Sequence, residues 1–299
     1  MSLRYDLGEV ITAMVTPFDR NGNVDYNQVM ELATYLADNG SDGIVVAGTT
    51  GESPTLTYEE EAELLSCVKS AVGDTVKVIA GAGSNCTKTA VECSKRVSKL
   101  GADAILQVVP YYNKPSQAGM IEHFSSVAKS VDLPILLYNI PSRTGVNMLP
   151  STVAELAKYD NIVALKQSNG DLDLITELKS QLPDDFALYS GDDSLTLPMM
   201  SLGVHGVVSV ASHLVGKEIK SMIRNYKTGE PHAALNMHLK LYPLFKKIFM
   251  APNPVPIKHI LSKMGMINPY VRRPLVELTQ KEAEELMFVA GDYIPEYKV

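Results

Sequence analysis

The sequence predicts an α/β protein, one closed (β/α)8 TIM barrel followed by additional C-terminal helices. Three observations carry that reading. Short apolar, β-branched runs recur about every 25–30 residues, the length of a βα unit. There are eight of them, each continuous rather than alternating, as expected of strands covered on both faces. Between them lie amphipathic stretches, with no break in composition to divide the series.

The eight runs are Val10–Val15, Gly43–Val46, Val76–Ala80, Ala104–Val108, Ile135–Tyr138, Ile162–Leu165, Ala187–Ser190 and Gly206–Val210. The segments between them read as helices. "YNQVMELATYLADNG" sets Val29, Leu32, Ala33 and Leu36 on one face and ends at Gly40, a helix-terminating signal. "LTYEEEAELLSCVKSAVG" places Thr57 ahead of three glutamates, so acidic side chains fall at the positive end of the helix dipole. "STVAELAKYDN" and "DLDLITELKSQLP" follow the same plan. From about Pro231 the strand signals stop, and "AALNMHLKLYPLFKKIF", "NPVPIKHILSKMG" and "TQKEAEELMFVAGDYI" read as helices. The expected organisation is a barrel with a catalytic mouth over residues 1–230 and a helical extension over 231–299.

Composition narrows the function classes. The chain has 299 residues, 45% of them hydrophobic, and a net charge of −7. With no basic run, neither nucleic acid nor an anionic membrane is an expected partner. No apolar run reaches the length of a spanning helix, and Met1 to Gly8 lacks the apolar core of a secretion signal. Cys67, Cys86 and Cys93 make no disulfide framework and fit a reduced, cytoplasmic protein. The six histidines form no HxH or HExxH pattern and no CxxC exists, so no metal centre is expected.

In such barrels the chemistry sits at the C-terminal ends of the strands. There the sequence places Gly48-Thr49-Thr50-Gly51-Glu52-Ser53 after the second run and Pro110-Tyr111-Tyr112 after the fourth. Tyr138 closes the fifth, ahead of Asn139, Pro141, Ser142 and Arg143. Lys166 closes the sixth, and Gly191-Asp192-Asp193 follows the seventh. Each has a bland reading: a turn with a hydroxyl cap, packed tyrosines, a surface ion pair, a lysine reaching past its strand to water. Together they describe a hydroxyl-rich mouth holding a lysine and an arginine. A lysine in a low-dielectric mouth loses its charge more readily and can attack a carbonyl, while tyrosine and threonine hydroxyls move protons. The chemistry suggested is aldol-type condensation or cleavage through a Schiff base, without a metal or organic cofactor. Asp192 and Asp193 occupy the region where barrels often bind phosphate; they would repel a dianion, which favours carboxylate substrates.

At these residues the chain resembles the dihydrodipicolinate synthase family of pyruvate-dependent Schiff-base lysine aldolases. The resemblance runs from Val10 to the C-terminal helices, on "GTTGESPTL", "PYYNKPSQ", "LYNIPSRTG", "IVALK", "SGDD", "GVVSV" and "PNPVPIK". It implies that Lys166 forms an imine with pyruvate and that Tyr138, Thr49 and Tyr112 relay protons, Tyr112 coming from the neighbouring subunit. Thr49 and Thr50 would hold the pyruvate carboxylate, Gly191 and Val208 would line its site, and Arg143 would bind the carboxylate of L-aspartate-4-semialdehyde. The implied assembly is a homotetramer, a dimer of tight dimers. The implied product is 4-hydroxy-tetrahydrodipicolinate, on the diaminopimelate route to lysine. Rival readings are a sister aldolase acting on sialic acid or a keto-deoxy-sugar acid, and a barrel that binds without turnover. Arg143 argues against the first, since a polyhydroxy substrate wants hydroxyl partners there. The intact lysine and tyrosines argue against the second.

Two departures from the family pattern stand out. Gln167 replaces an acidic residue common after the lysine. Lysine-inhibited relatives carry a histidine and a glutamate where this chain has Glu61 and Thr89, with Pro54 and Tyr58 nearby and Asn85 kept. The expectation is weak or absent feedback binding of L-lysine.

Overall fold

The computed structural model describes residues 3–294. Eight parallel strands close into a barrel in chain order, β1 (Val10–Ala13), β2 (Gly43–Val46), β3 (Lys77–Gly81), β4 (Ala104–Val108), β5 (Ile135–Asn139), β6 (Ile162–Gln167), β7 (Ala187–Ser190) and β8 (Gly206–Ser209). The predicted (β/α)8 barrel is therefore present, with each strand within two residues of its predicted ends. The difference that matters is in β6. Gln167 continues the ladder opposite Asn139 and Ser190, so Lys166 is an internal strand residue rather than its last.

Two apolar layers hold the barrel. Alternate strand residues point inward, where Ile11, Val45, Ile79, Leu106, Leu136, Tyr138, Ala164, Tyr189 and Val208 pack together. Their neighbours point outward and pack under the helices in a second cluster. Burial on both faces is why the runs read as continuous.

The helices begin where local chemistry allows. In α1 (Tyr26–Asp38) the Asp25 carboxylate accepts from the Gln28 N–H. In α2 (Tyr58–Val72) Thr57 and Glu60 form a reciprocal capping box. The remaining barrel-side helices are α3 (Thr87–Lys99), α4 (Gln117–Ala128), α5 (Pro141–Thr144), α6 (Pro150–Leu156), α7 (Leu172–Gln181), α8 (Thr196–Met200) and α9 (Ser212–Lys227). Each cap of this kind contributes about 1 kcal/mol.

The seam between β8 and β1 is polar and fully bonded. Thr12 Oγ1 lies 2.6 Å from Ser41 Oγ and 2.7 Å from Ser212 Oγ. His213 takes the Val15 N–H at Nε2 (3.2 Å) and donates from Nδ1 to the Val210 carbonyl (2.8 Å). Burial pushes its pKa down to about 4, so the ring is neutral.

The extension consists of α10 (Pro231–Lys247), α11 (Val255–Lys263) and α12 (Gln280–Ala290). It packs on α9 and against itself. The final five residues of the predicted 231–299 unit lie outside the described residues. Among the described residues no helix is long and apolar enough to cross a membrane.

Candidate active site

Lys166 sits at the C-terminal end of the barrel in register with Tyr138 on one side and Tyr189 on the other. It is 6% exposed. Among the described residues it has no carboxylate in ion-pairing range. Its amine lies over the Tyr138 ring, 4.1 Å from the centroid. The bland reading, an amine reaching past the strand into water, is not what the fold does with this residue.

Gly191 explains itself sterically. A Cβ there would come within 2.9 Å of Lys166 Cε and 1.8 Å of Ser168 Oγ. Any side chain here would press on both Ser168 and the lysine stem. Val208, 2% exposed, belongs to the inner layer beneath.

A cavity of about 420 Å³ opens at the mouth. Thr49, Tyr138 and Arg143 line it, and it runs on toward Tyr58, Glu61 and Thr89. Lys166 is not in its wall and lies behind the Tyr138 ring. Arg143 is exposed and comes from α5, a single turn opened by Pro141 and closed by Gly145 at φ +75°. That turn, unrecognised in the sequence, aims the arginine across the mouth.

The Gly48–Ser53 loop is held from beneath. Glu52 N–H donates to the Thr49 carbonyl (3.1 Å), and Thr16 Oγ1 donates to the Gly51 carbonyl (2.7 Å). Ala47 (φ +52°) and Glu52 (φ +58°) are left-handed without being glycine. Each such residue costs roughly 1 kcal/mol and persists only where the surroundings over-determine it. Thr50 is 4% exposed and its Oγ1 accepts from Asn253 Nδ2 at 2.8 Å.

Tyr112 is not brought to the site. It is 89% exposed, at φ +72°, on the rim beyond β4.

The aspartates after β7 do not face the mouth as free charges. Asp192 accepts from Ser194 N–H and Oγ, both at 2.8 Å. Asp193, buried, bonds Ser209 Oγ and the backbone N–H groups of Val210 (3.2 Å) and Ala211 (3.1 Å). Burial pushes its carboxyl up to about 6. Asp193 pins the end of β8 and is not a free charge that would repel a phosphate, while Asp192 caps its own turn through Ser194. Gln167 points away from the lysine and its Oε1 accepts from Asn139 Nδ2 (3.1 Å). A carboxamide fills this acceptor position as a carboxylate would, which is why the departure leaves the mouth intact.

Sequence reasoning missed four groups. Ser168 Oγ is buried beside Lys166 without a hydrogen-bond partner. Asn253, Lys258 and Arg272, all from the extension, reach the Gly48–Ser53 loop. The "PNPVPIK" motif signalled that region, but nothing local told where it would dock.

A sequence profile described as the dihydrodipicolinate synthetase family matches residues 6–291. The chain belongs to that family. A relative named 4-hydroxy-tetrahydrodipicolinate synthase, from Microcystis aeruginosa, is 55% identical over 287 residues, 96% of this chain and 97% of its own. Among solved structures of this family, the dihydrodipicolinate synthase of Cyanidioschyzon merolae with lysine bound is 50% identical. It superimposes with a TM-score of 0.93 over 95% of this chain and 98% of its own. Another, described as the first monomeric dihydrodipicolinate synthase variant, is 39% identical with a TM-score of 0.92, over 94% of this chain and 95% of its own.

Proposed function

We propose that this chain works as its named relatives do, as a 4-hydroxy-tetrahydrodipicolinate synthase. It is a lyase that condenses pyruvate with L-aspartate-4-semialdehyde, in the diaminopimelate route to lysine. The observation that carries the chemistry is Lys166: buried, uncompensated, against Tyr138 and at the barrel mouth.

The Lys166 amine adds to the pyruvate ketone and expels water, leaving an imine. The Thr49–Thr50 loop holds the pyruvate carboxylate through its hydroxyls and backbone N–H groups. Gly191 and Val208 line the pyruvate site around the lysine. Loss of a methyl proton gives an enamine, whose carbon attacks the aldehyde held by Arg143. The amine of the semialdehyde moiety then displaces Lys166 and closes the ring. Tyr138, Thr49 and Tyr112 move the protons. Tyr112 reaches the site of a neighbouring subunit, which accounts for its exposure here. The assembly we infer is a homotetramer of tight dimers, working in the cytoplasm.

Feedback by L-lysine is weak or absent. The cavity that Arg143 lines is also lined by Glu61 and Thr89. Thr89 is neutral, and burial pushes the Glu61 carboxyl up to about 7, so near neutrality it is a partly protonated acceptor for an ammonium.

The test is a coupled steady-state assay with both substrates. Turnover of pyruvate with the semialdehyde is expected. Turnover only with N-acetylmannosamine or a sugar-derived aldehyde would assign the chain to a sister aldolase, and none with any acceptor would make it a binding protein.

A further inference from the structure

Among the described residues Lys258 is the second buried lysine, and the reaction has no use for it. It is fully buried in α11 of the extension, 0% exposed. Its amine is saturated. It donates to Glu52 Oε1 at 2.6 Å and to the Tyr270 carbonyl at 2.8 Å, and it sits 4.1 Å over the Phe18 ring. Glu52 is 3% exposed, and its other oxygen takes the Arg272 backbone N–H at 2.9 Å. The Arg272 guanidinium also stacks on Phe18, 4.5 Å from the centroid, and grips Glu60 and the Thr55 carbonyl. Lys258 and Arg272 thus hold the Glu52 end of the Gly48–Ser53 turn and the residues that follow it, while Asn253 holds Thr50 directly.

A buried ion pair is a poor way to gain stability, since an apolar pair of the same shape often does as well or better. Its better-attested use is to specify one geometry. Here the geometry specified is unusual. Glu52 is left-handed and lies two residues from Thr50. The Lys258 amine on one oxygen and the Arg272 backbone N–H on the other fix its carboxylate.

We propose that Glu52 and Lys258 are positioning residues for pyruvate: the C-terminal extension acts through this ion pair to set the Thr49–Thr50 loop in its carboxylate-binding conformation. This rests on the reading of that loop as the pyruvate carboxylate site. The pair touches no substrate and lies outside the cavity wall, so its influence passes through the backbone of residues 49–52.

The neutral double variant Glu52→Gln/Lys258→Met separates positioning from stability. It keeps side-chain length and removes both charges. The expected result is a Tm equal to or above wild type, a pyruvate KM raised tenfold or more, and a semialdehyde KM within about twofold of wild type. The single variant Glu52→Gln retains the shape of the site and is expected to raise the pyruvate KM severalfold; it serves alone if the double variant does not fold. Half-saturation of borohydride trapping with pyruvate should rise in parallel. An unchanged pyruvate KM in a folded variant overturns the proposal. A rise in both substrates' KM, or a fall in kcat alone, does so too, since either marks a merely structural role. If wild type itself traps no pyruvate, the reading of the loop fails instead, and the two failures are distinguishable.

Discussion

The Lys166 amine rests on the face of the Tyr138 ring, 4.1 Å from its centroid, because β5 and β6 pair these two residues directly. Strand register alone sets this amine against the tyrosine ring, with no loop involved.

Borohydride reduction in the presence of pyruvate should therefore leave a stable mass increment on the peptide containing Lys166. Label on Lys258 would contradict the assignment, and its three contacts make that outcome unfavourable. Lys166→Ala should lose most activity, with residual turnover from the preserved loop and arginine.

Arg143→Ala should leave pyruvate trapping nearly unchanged and raise the semialdehyde KM. A charge-assisted contact of this kind is worth about 1.5–3 kcal/mol, or roughly 10- to 150-fold. Loss of pyruvate binding in this variant would put the arginine at the wrong substrate.

Tyr112 gives a complementation test. If it serves the partner's site, Lys166→Ala and Tyr112→Phe subunits, each nearly inactive alone, should regain activity when co-assembled. With random pairing about half the dimers are hybrids with one whole site, so recovery should approach a quarter of wild type. No recovery above the sum of the parents, or a fully active monomer by sedimentation, would remove Tyr112 from the site.

L-Lysine should half-inhibit only above about 1 mM, a binding free energy weaker than about 4 kcal/mol. Because the Glu61 carboxyl titrates near 7, any inhibition should strengthen from pH 6 to pH 8, and Glu61→Gln should flatten that trend. Submillimolar inhibition at neutral pH would show that Thr89 and Glu61 do not weaken the site.

His213 should make the fold acid-sensitive. Its folded pKa of about 4 lies below the ordinary 6.5, so the unfolded chain binds the extra proton and stability falls as pH drops from about 6.5 to 4. The loss from this group is on the order of 1–3 kcal/mol. His213→Gln should be less stable at pH 7.5 yet show a shallower decline in Tm between pH 6.5 and 5. An unchanged slope would place the acid sensitivity elsewhere, His123 being the next candidate.

The barrel was legible because its signals are local. Each strand must be apolar on both faces and each helix on one, so continuous apolar runs and a 3.6-residue period are written directly into the chain. So were the places of Thr49, Tyr138 and Arg143 in the cavity wall, since a residue at a strand end or just beyond it is at the mouth of any such barrel. What the sequence by itself could not determine depends on contacts between distant segments. The Lys258–Glu52 pair spans 206 residues and Asn253–Thr50 spans 203. Neither side chain in either pair carries a local mark of its partner. The same holds for the carboxylates after β7. In sequence Asp193 is a charge beside the active site, and only burial under the Val210 and Ala211 N–H groups makes it a structural acceptor. Secondary structure follows from the chain's own spacing. The pairing of buried charges is settled only when packing removes water and leaves each charge the few partners within reach.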